Sequence, residues 1–117
     1  MKYIKTQYKK CTNVRILNEP SQKLDKSGKT KYFYRVFFFT EDNTGLIFNV
    51  SSYERLDGYF KGGHLIKVWT RKVKHKEPRV VCWPVPYKVG RLGNRQYQDY
   101  KPLSNEECFE YLLSSLR

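Results

Sequence analysis

The sequence predicts a mainly β domain of five strands, with a short helix between the third and fourth and an amphipathic helix at the C-terminus. Three observations carry this. Residues 31–40, Lys-Tyr-Phe-Tyr-Arg-Val-Phe-Phe-Phe-Thr, are dominated by the aromatic and β-branched side chains that suit a pleated surface. Residues 11–18, 46–51, 64–74 and 79–85 alternate apolar and polar with the period of a strand. Residues 104–116 switch to helical spacing.

Along the chain, residues 1–10 read as an edge strand or a basic arm, with Tyr3, Ile4 and Tyr8 among four lysines. The first strand, 11–18, sets Val14 and Ile16 against Asn13, Arg15 and Leu17, and Pro20 ends it. Residues 21–30, with Lys23, Lys26, Lys29 and Gly28, are expected to form a basic loop. In the strand 31–40, alternation puts Tyr32, Tyr34, Val36, Phe38 and Thr40 on a core face. Lys31, Phe33, Arg35, Phe37 and Phe39 share the other. A tight turn follows at 41–45, with Gly45 expected to supply its positive φ.

The third strand, 46–51, directs Leu46, Phe48 and Val50 inward. Tyr53, Leu56 and Tyr59 or Phe60 then fall at helical spacing after Ser51-Ser52, which predicts a short helix stopped by Gly62-Gly63. The fourth strand sets Ile66, Val68 and Thr70 against Lys67, Trp69, Arg71 and Val73. The fifth, 79–85, is closed off by Pro84 and Pro86. A basic, aromatic extension over 87–103 carries Lys88, Arg91, Arg95, Tyr97, Tyr100 and Lys101. Ser104 and Glu107 then form a capping box before a stripe of Phe109, Leu112, Leu113 and Leu116. That stripe is expected to pack on the domain itself, or else on a replication-protein partner or a second copy.

The chain has 117 residues, room for one domain, with a net charge of +12. The charge is unevenly placed. Residues 1–35 and 64–101 each carry 10 basic and 2 acidic side chains, whereas 36–63 and 102–117 are slightly acidic. Two positive blocks of this kind attract a polyanion, most simply a nucleic acid. No basic amphipathic helix favours a membrane surface instead.

Cations interleaved with rings neutralise phosphates and stack bases. On that chemistry Phe33, Phe37 and Trp69 are the stacking candidates, with Trp83 and Tyr97 behind them. Arg15, Lys26, Lys29, Lys31, Arg35, Lys67 and Arg71 are the phosphate candidates. Ordinary sheet packing of the same rings stays open. The acids are dispersed rather than clustered for metal, so no catalysis, metal or cofactor is expected. Cys11, Cys82 and Cys108 are odd in number and far apart, as expected of packed, reduced thiols. With no apolar leader or membrane-length run, the expectation is a soluble, cytoplasmic protein.

The order of elements over residues 10–86 resembles an OB-fold, although an SH3-like barrel or an open five-stranded sheet would use a similar pattern. Within that fold the chain resembles the small single-stranded-DNA-binding proteins of filamentous phages, plasmids and conjugative elements. The likeness is carried by the basic loop Lys23–Lys29, the aromatic strand 31–40, the hairpin to residue 50 and the Lys67-x-Trp69-x-Arg71 strand. The resemblance implies binding of single-stranded DNA, or RNA, in a groove across the first three strands. The alternatives are an RNA- or duplex-binding accessory factor and a protein-interaction module docking through its C-terminal helix.

Overall fold

A computed structural model describes residues 4–56, 58–72, 74–85 and 97–113. Its strands are β1 (Gln7–Ile16), β2 (Ser21–Leu24), β3 (Thr30–Thr40), β4 (Gly45–Ser52), β5 (Leu65–Arg71), β6 (Arg79–Pro84) and β7 (Gln98–Asp99), followed by helix α1 (Asn105–Leu113). The fold is mainly β, as expected. Among the described residues there are seven strands rather than five, in one curled antiparallel sheet.

β3 organises that sheet. One of its edges pairs with β4 from Tyr32 to Phe39. The other is shared, β1 pairing with Val36–Thr40 and β2 with Thr30–Phe33. β1 serves two arms, because Cys11–Ile16 pairs with β3 while Gln7–Lys10 pairs with β5. Its register shifts between Cys11 and Asn13, an irregularity that bends a strand and increases its twist. The β5–β6 hairpin and β7 complete the second arm. β4 and β7 do not ladder together, but the Gln98 side chain donates from Nε2 to the Ile47 carbonyl at 2.8 Å, tying the two arms across the gap.

The concave side is the core, and the alternation in β3 is fulfilled there: Tyr34, Val36, Phe38 and Thr40 are buried. Phe38 lies at its centre, edge-on to Phe48 and Phe60 at 5.5 and 5.6 Å between centroids. The helix expected over 51–61 is absent among the described residues. Ser51 and Ser52, read as a cap, extend β4 opposite Phe33 and Tyr32. Gly58 then takes φ 75°, and the chain makes an irregular crossing that delivers Leu56, Tyr59 and Phe60 to the core. The Leu56 amide donates to the Tyr34 hydroxyl at 2.9 Å and fixes that crossing. The spacing that mimicked a helix belongs to an irregular plug.

Two further expectations are corrected here. Part of the basic loop is a strand, β2. The positive φ of the β3–β4 turn falls on Asn43, at 65°, not on Gly45. Asn tolerates this conformation well, and Asp42 steadies the turn through the Thr40 hydroxyl and the Lys9 ammonium. Gly45 is needed for another reason: a Cβ there would collide with Sγ of Cys108 on α1 and press on Phe37.

α1 therefore packs on its own domain, but not by the expected stripe. The capping box forms, with Ser104 and Glu107 joined by three contacts of 3.2 Å. The Leu103 amide donates to the Gly45 carbonyl, Cys108 sits on Gly45, and Tyr111 covers Phe37 at 5.1 Å between rings. Phe109 and Leu113 are turned outward at 62% and 68% exposure. Leu116, Val73 and the extension residues Lys88, Arg91 and Arg95 lie outside the described residues. All three cysteines are buried and free, and burial pushes the thiols of Cys11 and Cys82 up to about 12. No described helix is long and apolar enough to cross a membrane.

Two predictions follow from this packing. Gly45→Ala should destabilise the fold by about 1 to 3 kcal/mol through overpacking. In urea denaturation, combining it with Cys108→Ala should recover part of that loss; strict additivity of the two would mean the helix is not seated there. His64 is fully buried against Phe38 and Phe60, and burial lowers its pKa from 6.5 to about 4. Because the fold holds the neutral ring, its stabilisation is complete above about pH 6.5 and is lost as pH falls through 4. The urea midpoint should fall across that window, and His64→Leu should flatten the fall; an unchanged slope in the variant would refute the assignment.

Candidate nucleic-acid interface

A break in an edge makes the cleft. Pro20 has a fixed φ and no amide hydrogen, so β1 cannot run on into β2 and the β3 edge is left without a ladder between them. Loop groups take over the Arg35 backbone. Asn18 Oδ1 accepts its amide at 2.9 Å, and the Leu17 amide donates to its carbonyl at 2.8 Å. Beside this break lies a cleft of about 450 Å³ lined by Asn18, Ser21, Lys23, Phe33, Tyr34, Arg35, Asn49, Val50 and Ser51. The lining contains two cations and no carboxylate.

Phe33 stands in this cleft between Ser21 on β2 and Ser51 on β4, its cross-strand neighbours, neither of them bulky enough to cover a ring. Arg35 is exposed beside it, opposite Asn49. Lys31 Nζ lies 6.0 Å from the Phe33 ring and 5.4 Å from the ring of Tyr53, and Lys29 Nζ is 6.0 Å from Tyr53. Tyr53 is itself 49% exposed. The two lysines and two rings at the mouth of the cleft therefore alternate, in the order Lys29, Tyr53, Lys31, Phe33.

The β2–β3 turn holds its lysines by spending its own acid. Asp25 Oδ1 accepts from the Ser27 amide at 2.8 Å, the Ser27 hydroxyl at 2.7 Å and the Lys29 amide at 3.0 Å. These bonds, led by Ser27, hold the carboxyl down at about 2. Gly28 closes the turn at φ 88°, a conformation that disfavours any side chain. Lys26 is exposed at the tip.

Of the sequence-predicted residues, the structure brings Lys29, Lys31, Phe33 and Arg35 together, with Lys26 on the adjoining turn. Phe37 is corrected: it is fully buried beneath Tyr111 and stacked against Phe39 at 6.2 Å, so no base reaches it. Arg15 pairs opposite Phe37 with its Nε buried, outside the cleft.

Lys67, Trp69 and Arg71 form a separate group on the outer side of β5. Lys67 Nζ is 4.8 Å from the Trp69 ring, and Arg71 is 4.5 Å from that of Tyr97. Trp69 meets both Trp83 and Tyr97 at 6.2 Å in edge-on contacts. β1 lies between the two groups, pairing with β3 at one end and with β5 at the other.

Sequence reasoning missed Tyr53, hidden by the helical reading of its segment, and Asn18 and Asn49, which carry no charge to mark them. Lys23 was visible as part of the basic loop. Among the described residues no group of three His, Cys, Asp or Glu side chains is placed to hold a metal ion.

Asp25→Ala should speed hydrogen exchange at the Ser27 and Lys29 amides while leaving core amides protected. Unchanged exchange at both would show that the carboxylate does not order the turn. Neither a family model, nor a curated protein, nor a solved structure matches this chain, so its functional reading rests on the residues and geometry above.

Proposed function

We propose that this protein is a non-catalytic binder of single-stranded nucleic acid, with single-stranded DNA the preferred ligand, acting in the replication or transfer of a mobile element. The observation that carries the reading is the cleft, with no carboxylate in its lining, in which the half-buried ring of Phe33 stands between serines with Arg35 and Lys23 beside it. A strand threads such a cleft with its phosphates toward Lys23, Lys29, Lys31 and Arg35 and a base on Phe33. Asn18, Asn49 and the serines offer uncharged hydrogen-bonding groups. With no carboxylate, histidine or cysteine in the lining, binding is the chemistry it favours.

The strand order supports an OB-like reading of the half-barrel. β1, β3 and β4 form a meander, and the β5–β6 hairpin joins the other half of β1. In OB-folds the second and third strands and their neighbouring loops form the binding face. Here those strands are β3 and β4, and β2 elaborates the first connecting loop.

A second reading, an interaction module working through α1, draws on the exposed Phe109 and Leu113. One titration separates them. Labelled oligo-dT of about 30 nucleotides should bind in a salt-dependent way, with a log–log slope of about −3 for four phosphate contacts, and duplex should compete poorly. Phe33→Ala should cost about 1 to 3 kcal/mol, the worth of one stacked base. Arg35→Gln should weaken binding and make the slope shallower. Binding indifferent to both substitutions, or no binding at low salt, would discard the cleft and turn attention to α1.

A further inference from the structure

We infer that the outer face of β5 and β6 is a second subsite for single-stranded nucleic acid, engaged together with the cleft only by a strand long enough to follow β1 from one end to the other. This rests on the reading of the cleft as a nucleic-acid site. The outer face of an antiparallel sheet that meets water is ordinarily polar. Here the half-buried Trp69 and Trp83 cluster with Tyr97, 37% exposed, and Tyr8, opposite Lys67 in the register, is 58% exposed.

The cluster's charge is as selective as its rings. Lys67 lies over Trp69 and Arg71 over Tyr97, so each cation sits where a phosphate can draw it aside and leave an aromatic face to a base. The single acid on β5, β6 and β7 is Asp99, and it is paired with Arg79 at 3.2 Å. Two exposed acids border this surface, Glu77 in the turn between β5 and β6 and Glu41, whose amide donates to the Lys10 carbonyl, but neither lies on the three strands themselves.

The separation of the two sites follows from register. Tyr8 pairs with Lys67, and Ile16 pairs with Val36 beside Arg35. Eight residue steps of strand separate them, about 26 Å along β1 at about 3.3 Å per residue. Lys10, exposed and two residues on from Tyr8, lies on that route. A strand held at both ends gains from effective concentration, and a short one does not.

The test compares oligo-dT of about 4 and about 16 nucleotides, lengths that bracket the site sizes of single OB-type domains. The wild-type protein should bind the longer strand about a hundredfold or more tightly. The triple variant K67Q/R71Q/Y97A should keep the fold, as judged by its melting temperature, yet lose that gain down to the statistical benefit of extra registers. A charge-matched control, K61Q/K101Q, should retain it. The inference is overturned if the triple variant keeps the wild-type gain, if the control loses it equally, or if the wild type shows none. F33A/R35Q distinguishes the underlying reading: if it leaves both lengths unaffected, the cleft itself is wrong.

Discussion

The contact between Gly45 and Cys108 decides what the outer face of β3 can do. Alternation presents Lys31, Phe33, Arg35, Phe37 and Phe39 on that face with nothing in the strand itself to distinguish them. Gly45 removes the one side chain that would hold α1 away, and the Leu103 amide bonds to its carbonyl, so the helix settles over the C-terminal half. Phe37 becomes a second, outer core under Tyr111. Beyond the helix, Arg35 is exposed and Phe33 half-buried. Burying Phe37 stabilises the fold by roughly 1.5 to 3 kcal/mol, and the division it creates leaves a short binding face on an anchored strand.

Charge is organised by the same economy. Three acids on or beside the sheet are engaged locally: Asp25 within its turn, Asp42 with Lys9 and Thr40, Asp99 with Arg79. Lys9, bonded first to Asp42, has its pKa raised, and Asp42, bonded first to Lys9, is lowered to about 2, so both stay charged across the physiological range. Such pairs are structural. At the mouth of the cleft the ammonium groups of Lys29 and Lys31 lie over rings, and a cation over a ring keeps its charge available to a phosphate.

The sequence made the strands legible because their apolar period is strong, and β3, β4, β5 and β6 stand close to where alternation puts them. It misled where two structures share one spacing. Leu56, Tyr59 and Phe60 recur as they would on a helix, yet Gly58 and the Tyr34 hydroxyl turn the same residues into a plug. The stripe of Phe109 and Leu113 was the more apolar face of α1, but the helix seats by its smaller one, because Cys108 fits over a glycine and Phe109 does not. In the site, Lys31, Phe33 and Arg35 were visible as alternating ring and cation. Burial of Phe37 was not, since it depends on a helix some seventy residues away in sequence. Nor was Tyr53, which joins the site only because β4 runs two residues further than its apolar alternation suggests.

The two basic blocks of the sequence find separate homes in the fold. Lys23, Lys29, Lys31 and Arg35, from residues 1–35, gather at the break between β1 and β2; Lys67 and Arg71, from 64–101, lie on β5. The slightly acidic middle of the chain supplies β4 and the plug, whose task is packing, and the slightly acidic last segment supplies the helix that covers Phe37. β1 belongs to both arms, and its irregularity at Cys11–Asn13 lets one strand turn from one patch toward the other. A single closed groove would concentrate all of this charge in one place, where cations repel one another without a ligand. Spreading it along a curved strand lowers that self-repulsion and leaves two smaller positive surfaces, each built around its own rings.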